Sequence, residues 1–211
     1  MTSLARRAAG LVGGRGRVLL GIAGPPGAGK STLVDDLLRV LRADPPSGMD
    51  EGWVAHVPMD GFHLADVQLD RLGRRDRKGA PDTFDADGFL ATLRRVVEEP
   101  ESVVYVPGFE RDLEQPVAAA IEVSPKARLV VTEGNYLLLP LDPWPRVRAL
   151  LAETWYVDLP APERVRRLVA RHVSSGKSPE AARAWVERVD EANARLVEAT
   201  RELADLVVAG D

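Results

Sequence analysis

The feature that most constrains this chain is a glycine-rich string, Gly24-Pro25-Pro26-Gly27-Ala28-Gly29-Lys30-Ser31, which matches the pattern G-x-x-x-x-G-K-[ST]. It follows a segment at 17–23 that is apolar after Arg17 and is typical of a buried strand. It precedes a stretch in which Leu33, Leu37 and Leu41 recur at helical spacing. Glycines let successive backbone N–H groups converge on phosphate oxygens, and the N-terminus of the next helix adds positive charge. The string therefore predicts a binding site for a nucleoside triphosphate.

Side chains of the same string have separate expected roles. Lys30 is expected to reach the β- and γ-phosphates, and the hydroxyl of Ser31 is expected to hold Mg²⁺. The predicted nucleotide site runs from Gly24 to Thr32, and the predicted ligands are ATP and Mg²⁺.

The rest of the chain alternates short β-branched runs with longer helical stretches, which favours an α/β fold on a parallel sheet. We predict one domain over residues 1–211, with a substrate loop at about 60–87 and a small helical lid at about 161–180. The predicted strands are 17–23, 53–58, 102–106, 129–132 and 154–157, with 203–208 as a candidate that closes the sheet. The predicted later helices are 88–98, 161–174 and 179–203.

Composition excludes several classes of protein. Hydrophobic residues make up 45% and charged residues 28%, as in ordinary globular proteins, and a net charge of −4 argues against a generic nucleic-acid binder. There is no cysteine, so disulfides and thiolate metal sites are excluded. No uncharged apolar run approaches the roughly 18 residues that a membrane span needs. We therefore expect a cytoplasmic protein with no membrane or nucleic-acid partner.

Three acids follow predicted strands, where ligand sites of parallel sheets lie. Asp60 precedes Gly61, Phe62 and His63, so a carboxylate, an aromatic ring and an imidazole meet within four positions. That set can take a proton from a substrate hydroxyl and pack its apolar face. Glu133 follows the most hydrophobic strand and is expected in the Mg²⁺ shell, with a buried capping role as its alternative. Asp158 is expected only to cap the next helix.

One helical face near the C-terminus is basic. Arg164, Arg167 and Arg171 are spaced i, i+3, i+7 and share that face. They could close over the triphosphate and neutralise charge in the transition state, and Arg167 and Arg171 are the favoured pair. A solvated charged face is the alternative.

With these residues in hand, the chain resembles the kinase group that contains uridine kinase, phosphoribulokinase and bacterial pantothenate kinase. It looks most similar to small bacterial members described as uridine kinase-like, pantothenate kinase-like or fructokinase-like. The resemblance covers nearly the whole chain. The blocks that carry it are Gly24–Ser31, Met59–His63, Arg77–Pro81 with Thr83–Asp85, Pro107–Arg111 and Glu133–Tyr136.

The resemblance implies a three-layer P-loop fold, with a five-stranded parallel sheet and helices on both faces. It also implies that Asp60 is the catalytic base and that Glu133 belongs to the Mg²⁺ shell. The lid arginines of that group correspond to Arg167 and Arg171, although the typical Arg-Asp pair is Arg171–His172 here. The residues that it places facing the phosphoryl acceptor are His63, Lys78, Phe109 and Arg111.

The leading hypothesis is an ATP-dependent kinase that phosphorylates an alcohol of a small metabolite. A nucleotide-dependent switch is the first rival, since D-x-x-G strings occur at 70–73 and 85–88, but no N-K-x-D string accompanies them. An ATP-binding regulator without an acceptor is the second.

The acceptor itself stays open. Aromatic residues could stack a nucleobase or simply fill the core, while the basic loop at 74–78 would equally suit a sugar, a carboxylate or a phosphorylated substrate. A homodimer is expected only from the general frequency of twofold oligomers. The aromatic candidates are Phe62, Phe84, Phe109 and Tyr136.

Overall fold

The central feature of the fold is a parallel sheet. The computed structural model describes residues 1–14 and 16–210. Within them, five strands form one parallel sheet, as the resemblance implied. These strands are β1 (Val18–Ala23), β2 (Val54–Pro58), β5 (Leu129–Glu133), β6 (Leu151–Asp158) and β7 (Leu206–Ala209). Their order across the sheet is β2-β5-β1-β6-β7.

Helices flank this sheet. The helices are α1 (Thr2–Gly10), α2 (Lys30–Ala43), α3 (Asp66–Leu72), α4 (Ala86–Glu98), α5 (Trp144–Arg148), α6 (Ala161–Ser174), α7 (Pro179–Trp185) and α8 (Glu191–Glu198). Among the described residues, no helix is long and apolar enough to cross a membrane.

Alternation along β1 builds two hydrophobic layers. Leu20 packs into the layer that contains α1 and α2, and Leu19 packs into the layer that contains α4 and α5. Successive side chains of a strand point to opposite faces, so an apolar strand such as β1 needs a helical layer on each side. The predicted three-layer α/β fold is therefore confirmed.

A β-hairpin accompanies the central sheet and corrects one prediction. The strand expected at 102–106 lies outside the parallel sheet; it is part of β3 (Val104–Glu110), which pairs antiparallel with β4 (Gln115–Val123). No strand was expected at β4, because its alanine-rich run at 118–120 has low strand propensity and is exposed.

Two further segments differ from expectation. The helix expected at 179–203 is divided by a π-helical turn, Val186–Asp190, and α8 ends at Glu198. The predicted substrate loop contains α3 and several 3₁₀ turns. Helical periodicity predicts one continuous helix over the first segment and a loop over the second. It gives no signal for the extra residue that a π-helical turn inserts into a helix.

Arg17 holds the hairpin region to the sheet. Its guanidinium, only 5% exposed, donates hydrogen bonds of 2.7–3.1 Å to the carbonyl oxygens of Val96, Glu99, Ser102 and Ser124. Burial lowers the pKa of Arg17 from its usual value. One buried cation thus joins the start of β1 to the end of α4 and to both ends of the hairpin.

Candidate active site

The carboxyl ends of β1, β2 and β5 meet at one edge of the sheet. Glu133, the last residue of β5, lies beside Ile22 of β1 and Pro58 of β2 in the strand register. The amide of Gly134 then donates to the carbonyl oxygen of Ile22 at 3.0 Å. Because β1 leads into the glycine-rich string and β2 leads to Asp60, the register brings the predicted phosphate site and the predicted acids together.

The glycine-rich string forms a curled loop that ends at α2. Gly27 and Gly29 adopt φ angles of 77° and 94°, which favour glycine. Gly29 is the N-cap of α2, so the loop ends at the first turn of that helix, whose amide groups have no partner within the helix. The loop therefore has the backbone conformation that phosphate binding requires.

Lys30 is a buried cation whose hydrogen-bond partners are neutral. Its Nζ donates to the carbonyl oxygen of Pro25 at 3.1 Å and to Oδ1 of Asn135 at 2.7 Å. Burial lowers the pKa of Lys30, against the nearby charges of Glu133 and Asp60, which raise it. Lys30 forms no ion pair with any described residue, and this arrangement fits an anionic ligand such as a phosphate.

Ser31 and Glu133 place two oxygen ligands side by side. The Ser31 hydroxyl donates to Oε1 of Glu133 at 3.1 Å. Burial, with a smaller effect from the charge of Asp60, raises the pKa of Glu133 to about 7, while Lys30 acts in the opposite direction. A hydroxyl and one carboxylate next to a phosphate loop fit Mg²⁺, which takes oxygen ligands and usually retains water and phosphate ligands.

Asp60 lies in the 3₁₀ turn Met59–Phe62 at the end of β2. The following Gly61 allows a close approach of the hairpin, because a Cβ there would lie 2.2 Å from the carbonyl oxygen of Pro107. Among the described residues the Asp60 carboxylate has no ion-pair or hydrogen-bond partner. It opens onto a cleft of about 1430 Å³ that Lys30 and Glu133 also line.

His63 lies on the wall of this cleft with a defined ring orientation. Its Nδ1 lies 2.8 Å from the carbonyl oxygen of Asp60, and since a carbonyl only accepts, Nδ1 carries the hydrogen. Burial lowers the pKa of His63. The ring centroid lies 4.0 Å from that of Phe84 and 5.0 Å from that of Phe109, so all three rings form an aromatic wall.

Lys78 lines the cleft but already has an ion-pair partner. Its Nζ lies 2.7 Å from Oδ1 of Asp66, and Arg75 binds the other oxygen of that carboxylate at 2.7 Å. The Lys78 ammonium also lies 5.6 Å from the ring centroid of Phe109. Arg111, at the tip of the hairpin, lines the cleft without an ion-pair partner in the described part of the chain.

Two aromatic residues expected to face the acceptor lie in the core instead. Phe62 is 7% exposed and packs against Phe89, with ring centroids 5.0 Å apart. Tyr136 is fully buried, and its hydroxyl donates to the carbonyl oxygen of Gly79. Neither lines the cleft, because each fills the hydrophobic layer beneath it; Tyr136 instead fixes the substrate loop at Gly79.

One of the three predicted arginines of α6 is buried in a structural contact, and the other two line the cleft. Arg164 is 1% exposed and forms ion pairs of 2.9 Å with Glu191 and 2.6 Å with Glu198, so it joins α6 to α8. Arg167 and Arg171 line the cleft. Arg167 bonds Glu163 of its own helix at 2.9 Å, whereas Arg171 forms no ion pair within the described residues.

Sequence reasoning predicted only part of the far wall of the cleft, because the predicted lid ended at about residue 180. Segment 172–193 contributes His172, Lys177, Trp185, Arg188 and Asp190 to the lining, and Nε2 of His172 lies 2.8 Å from Oδ2 of Asp190. The sequence has a polar block here, Asp-Glu-Ala-Asn-Ala-Arg at 190–195, but its residue types alone indicate no particular role. Asn135 was missed too, since only its contact with Lys30 shows its importance.

The two D-x-x-G strings have structural explanations. Asp70–Gly73 is the end of α3, where Gly73 forms a left-handed C-cap. Asp85 is the N-cap of α4 and accepts a hydrogen bond from the amide of Gly88 at 2.9 Å. Neither string lines the cleft, so the structure gives no support for these two strings as switch motifs.

P-loop kinases are the class of protein that this sheet order and this cleft define, and comparisons with known proteins place the chain within it. The chain is 35% identical to "Putative uridine kinase C227.14" of Schizosaccharomyces pombe, over 97% of this chain and 88% of that protein. It is 33% identical to "Uncharacterized protein YggC" of Escherichia coli, over 91% of this chain and 77% of that protein. No family model matches the chain. The chain belongs to the uridine kinase-like group of P-loop kinases and is an ATP-dependent kinase.

Solved structures agree with this assignment. The crystal structure of a "putative fructose transport system kinase" from Silicibacter sp. TM1040 is 36% identical, with a TM-score of 0.87 over 98% of this chain and 97% of that chain. YFH7 from Saccharomyces cerevisiae superposes with a TM-score of 0.82, over 100% of this chain and 99% of that chain, at 20% identity. The second likeness concerns the fold alone.

Proposed function

We propose that this kinase transfers the γ-phosphate of ATP to a hydroxyl group of a small metabolite. The observation that carries the proposal is the Asp60 carboxylate, which has no partner among the described residues and opens onto the cleft that Lys30 lines. Both groups line the same cleft, and the charge of Asp60 raises the pKa of Lys30 against the larger effect of burial. A carboxylate free to accept a proton beside a phosphate loop supports an alcohol acceptor.

The proposed reaction is an in-line displacement. Asp60 accepts the proton of the acceptor hydroxyl as its oxygen attacks the γ-phosphorus. The bond from that phosphorus to the β–γ bridging oxygen breaks, and ADP leaves with the electron pair. Lys30, Arg167 and Arg171 stabilise the charge on the transferred group, and Asp60 then releases its proton to solvent.

Ser31 and Glu133 would hold Mg²⁺ in this proposal, because they supply the paired oxygen ligands at the end of the loop. The ion would neutralise charge on the phosphates. Thr32 follows Ser31 on the cleft wall.

The acceptor class remains broad in this proposal. Names of the relatives point to a nucleoside in one case and to a sugar in another, and members of one fold can use different substrates. The wall formed by His63, Phe84 and Phe109, with Lys78 and Arg111 beside it, is the proposed contact surface. A nucleoside, a sugar or a pantothenate-like alcohol would present the required hydroxyl.

Replacement Asp60→Asn tests the base. We expect turnover to fall by about 10²–10⁴-fold, because the amide cannot accept the proton. ATP affinity should stay nearly unchanged, since Lys30 and the loop are intact. Single-turnover transfer and equilibrium ATP binding measure the two effects.

Asp158→Asn is the matched control. Asp158 also ends a parallel strand, but it pairs with Arg201 at 3.1 Å and lies outside the cleft. Its variant should retain normal turnover. If Asp60→Asn also transfers phosphate at the wild-type rate, Asp60 is not the base.

A further inference from the structure

In the wall of the cleft that follows α6 in the chain, two cationic side chains lie against the ring of one tryptophan, Trp185. Nζ of Lys177 lies 5.1 Å from the ring centroid of Trp185, and Cζ of Arg188 lies 5.6 Å from the same ring. All three residues line the cleft. Arg188 lies on the π-helical turn Val186–Asp190, a type of insertion that frequently occurs at functional sites.

These two cations are not neutralised by carboxylates. In the part of the chain that the structure describes, neither Lys177 nor Arg188 forms an ion pair. An indole face orients a cation but leaves its charge available to an anion. By contrast, Lys78, which also lines the cleft, is paired with Asp66. The acid of their own wall, Asp190, is hydrogen-bonded to His172.

A contact of Arg188 with the substrate loop indicates that Lys177 and Arg188 lie on the side of the cleft where the acceptor would bind. Its guanidinium donates to the carbonyl oxygen of Asp76 in the substrate loop at 3.3 Å. The phosphate loop has its own cation in Lys30, which is held by hydrogen bonds to Pro25 and Asn135. Lys177 and Arg188 are therefore additional to the groups that would hold the triphosphate.

We propose that the acceptor carries an anionic group, a carboxylate or a phosphate ester, and that Lys177 and Arg188 bind this group beside Trp185. The inference rests on the proposed transfer to a hydroxyl and narrows its substrate class to anionic alcohols. An acceptor bound this way presents its hydroxyl to Asp60 and its anion to the lid side of the cleft. Charge-assisted hydrogen bonds from a lysine and an arginine suit either anion.

Matched pairs of alcohols test the substrate class. Each pair contains an anionic compound and its neutral counterpart: glycerate with glycerol, pantothenate with pantothenol, fructose 6-phosphate with fructose, and uridine 5′-monophosphate with uridine. We expect the preferred acceptor to be the anionic member of its pair, with kcat/KM at least about 10²-fold higher than the neutral member. The carboxylate and phosphate pairs tell the two anions apart.

Lys177→Met and Arg188→Gln test the residues. Each should raise KM for the anionic acceptor about 10- to 100-fold, the effect of losing one charged hydrogen bond, and leave KM for ATP unchanged. Arg183→Gln is the control, because Arg183 is an exposed arginine of α7 outside the cleft. A neutral preferred acceptor, or unchanged acceptor KM in both variants, overturns the inference while leaving the kinase proposal standing.

Equilibrium binding of the same compounds separates the two proposals. Anionic members should bind to the enzyme and lose affinity in Arg188→Gln. If they bind in this way but no compound is phosphorylated, the alcohol-kinase proposal fails and the anion site stands. If neither binding nor transfer distinguishes anionic from neutral members, the anion site is wrong.

Discussion

At the scale of single residues, the site contains groups that folding alone would not favour. Lys30 is a buried cation with two neutral partners, and Glu133 is a buried carboxylate whose pKa is raised to about 7. Uncompensated buried charge costs several kcal/mol in typical cases. A bound ligand of opposite charge would offset this cost, with a phosphate for Lys30 and a cation for Glu133. This is the physical reason for assigning both residues to the site.

His56 on β2 makes the stability of the protein depend on pH. Among the described residues its Nε2 is buried and has no hydrogen-bond partner, and burial lowers the pKa of the ring to about 4, with smaller effects from the charges of Asp35, Arg42 and Asp60. In the unfolded chain the ring of His56 binds a proton with a pKa near 6.5, whereas in the folded protein it binds one only near pH 4. Stability from this group is therefore full above pH 6.5 and is lost as the pH falls to about 4.

Replacement His56→Leu measures that contribution. Between pH 7 and pH 4 the wild-type free energy of unfolding should fall by about 3 kcal/mol more than that of the variant, at about 1.4 kcal/mol per pKa unit. Urea unfolding at several pH values gives both curves. Parallel curves for the two proteins would show that His56 does not titrate as expected.

At the scale of elements, different arginines of α6 contribute to stability and to catalysis. We expect Arg164→Met to lower the free energy of unfolding by about 3 kcal/mol, because Glu191 and Glu198 lose a buried partner. Arg171→Gln should instead lower kcat about 10²–10³-fold through lost charge stabilisation, with stability unchanged. Denaturant unfolding and steady-state kinetics measure the two effects.

Arg166→Gln is the control for this pair of variants. Arg166 lies on the same helix and is 70% exposed, with Glu163 as its partner, so neither stability nor kcat should change much. If Arg171→Gln behaves like Arg166→Gln, Arg171 does not act on the transferred phosphate.

The elements also mark where sequence reasoning reached its limit. The spacing of Leu33, Leu37 and Leu41 predicted α2 correctly. A helix that packs on a sheet has apolar residues at intervals of three or four along the chain, so that they share one face. The hairpin strand β4 was missed, since an exposed alanine-rich run carries no alternation. The turn at 186–190 was missed because a π insertion leaves no local composition signal.

At the scale of the whole molecule, nucleotide binding should stabilise the fold. ATP with Mg²⁺ at about 100 times its Kd adds about 2.7 kcal/mol, which raises Tm by about 5–10 °C for a domain of this size. Lys30→Met should remove most of this shift. Differential scanning fluorimetry with and without nucleotide measures it.

Lys126→Met is the control for the thermal shift, because Lys126 forms an exposed ion pair with Asp50 far in sequence from the phosphate loop. It should keep the full ATP-dependent shift. A larger shift with GTP than with ATP would contradict the assignment of ATP as the nucleotide.

The sequence by itself determined the phosphate loop, the α/β class, the acid that follows β2 and the acid that ends β5. These features depend on local spacing and residue type: glycine where the backbone must curl, apolar runs where strands are buried, and carboxylates immediately after them. The resemblance to a kinase group drew on the same local blocks and predicted the sheet correctly.

Only the tertiary structure decided which side chains share the cleft. Phe62 and Tyr136 are aromatic in sequence just as Phe84 and Phe109 are, yet the first two lie outside the cleft and the second two line it. Whether an arginine such as Arg164 is buried between two glutamates depends on an element nearly 30 residues away. Burial and pairing arise from packing between distant segments, and no local pattern records them.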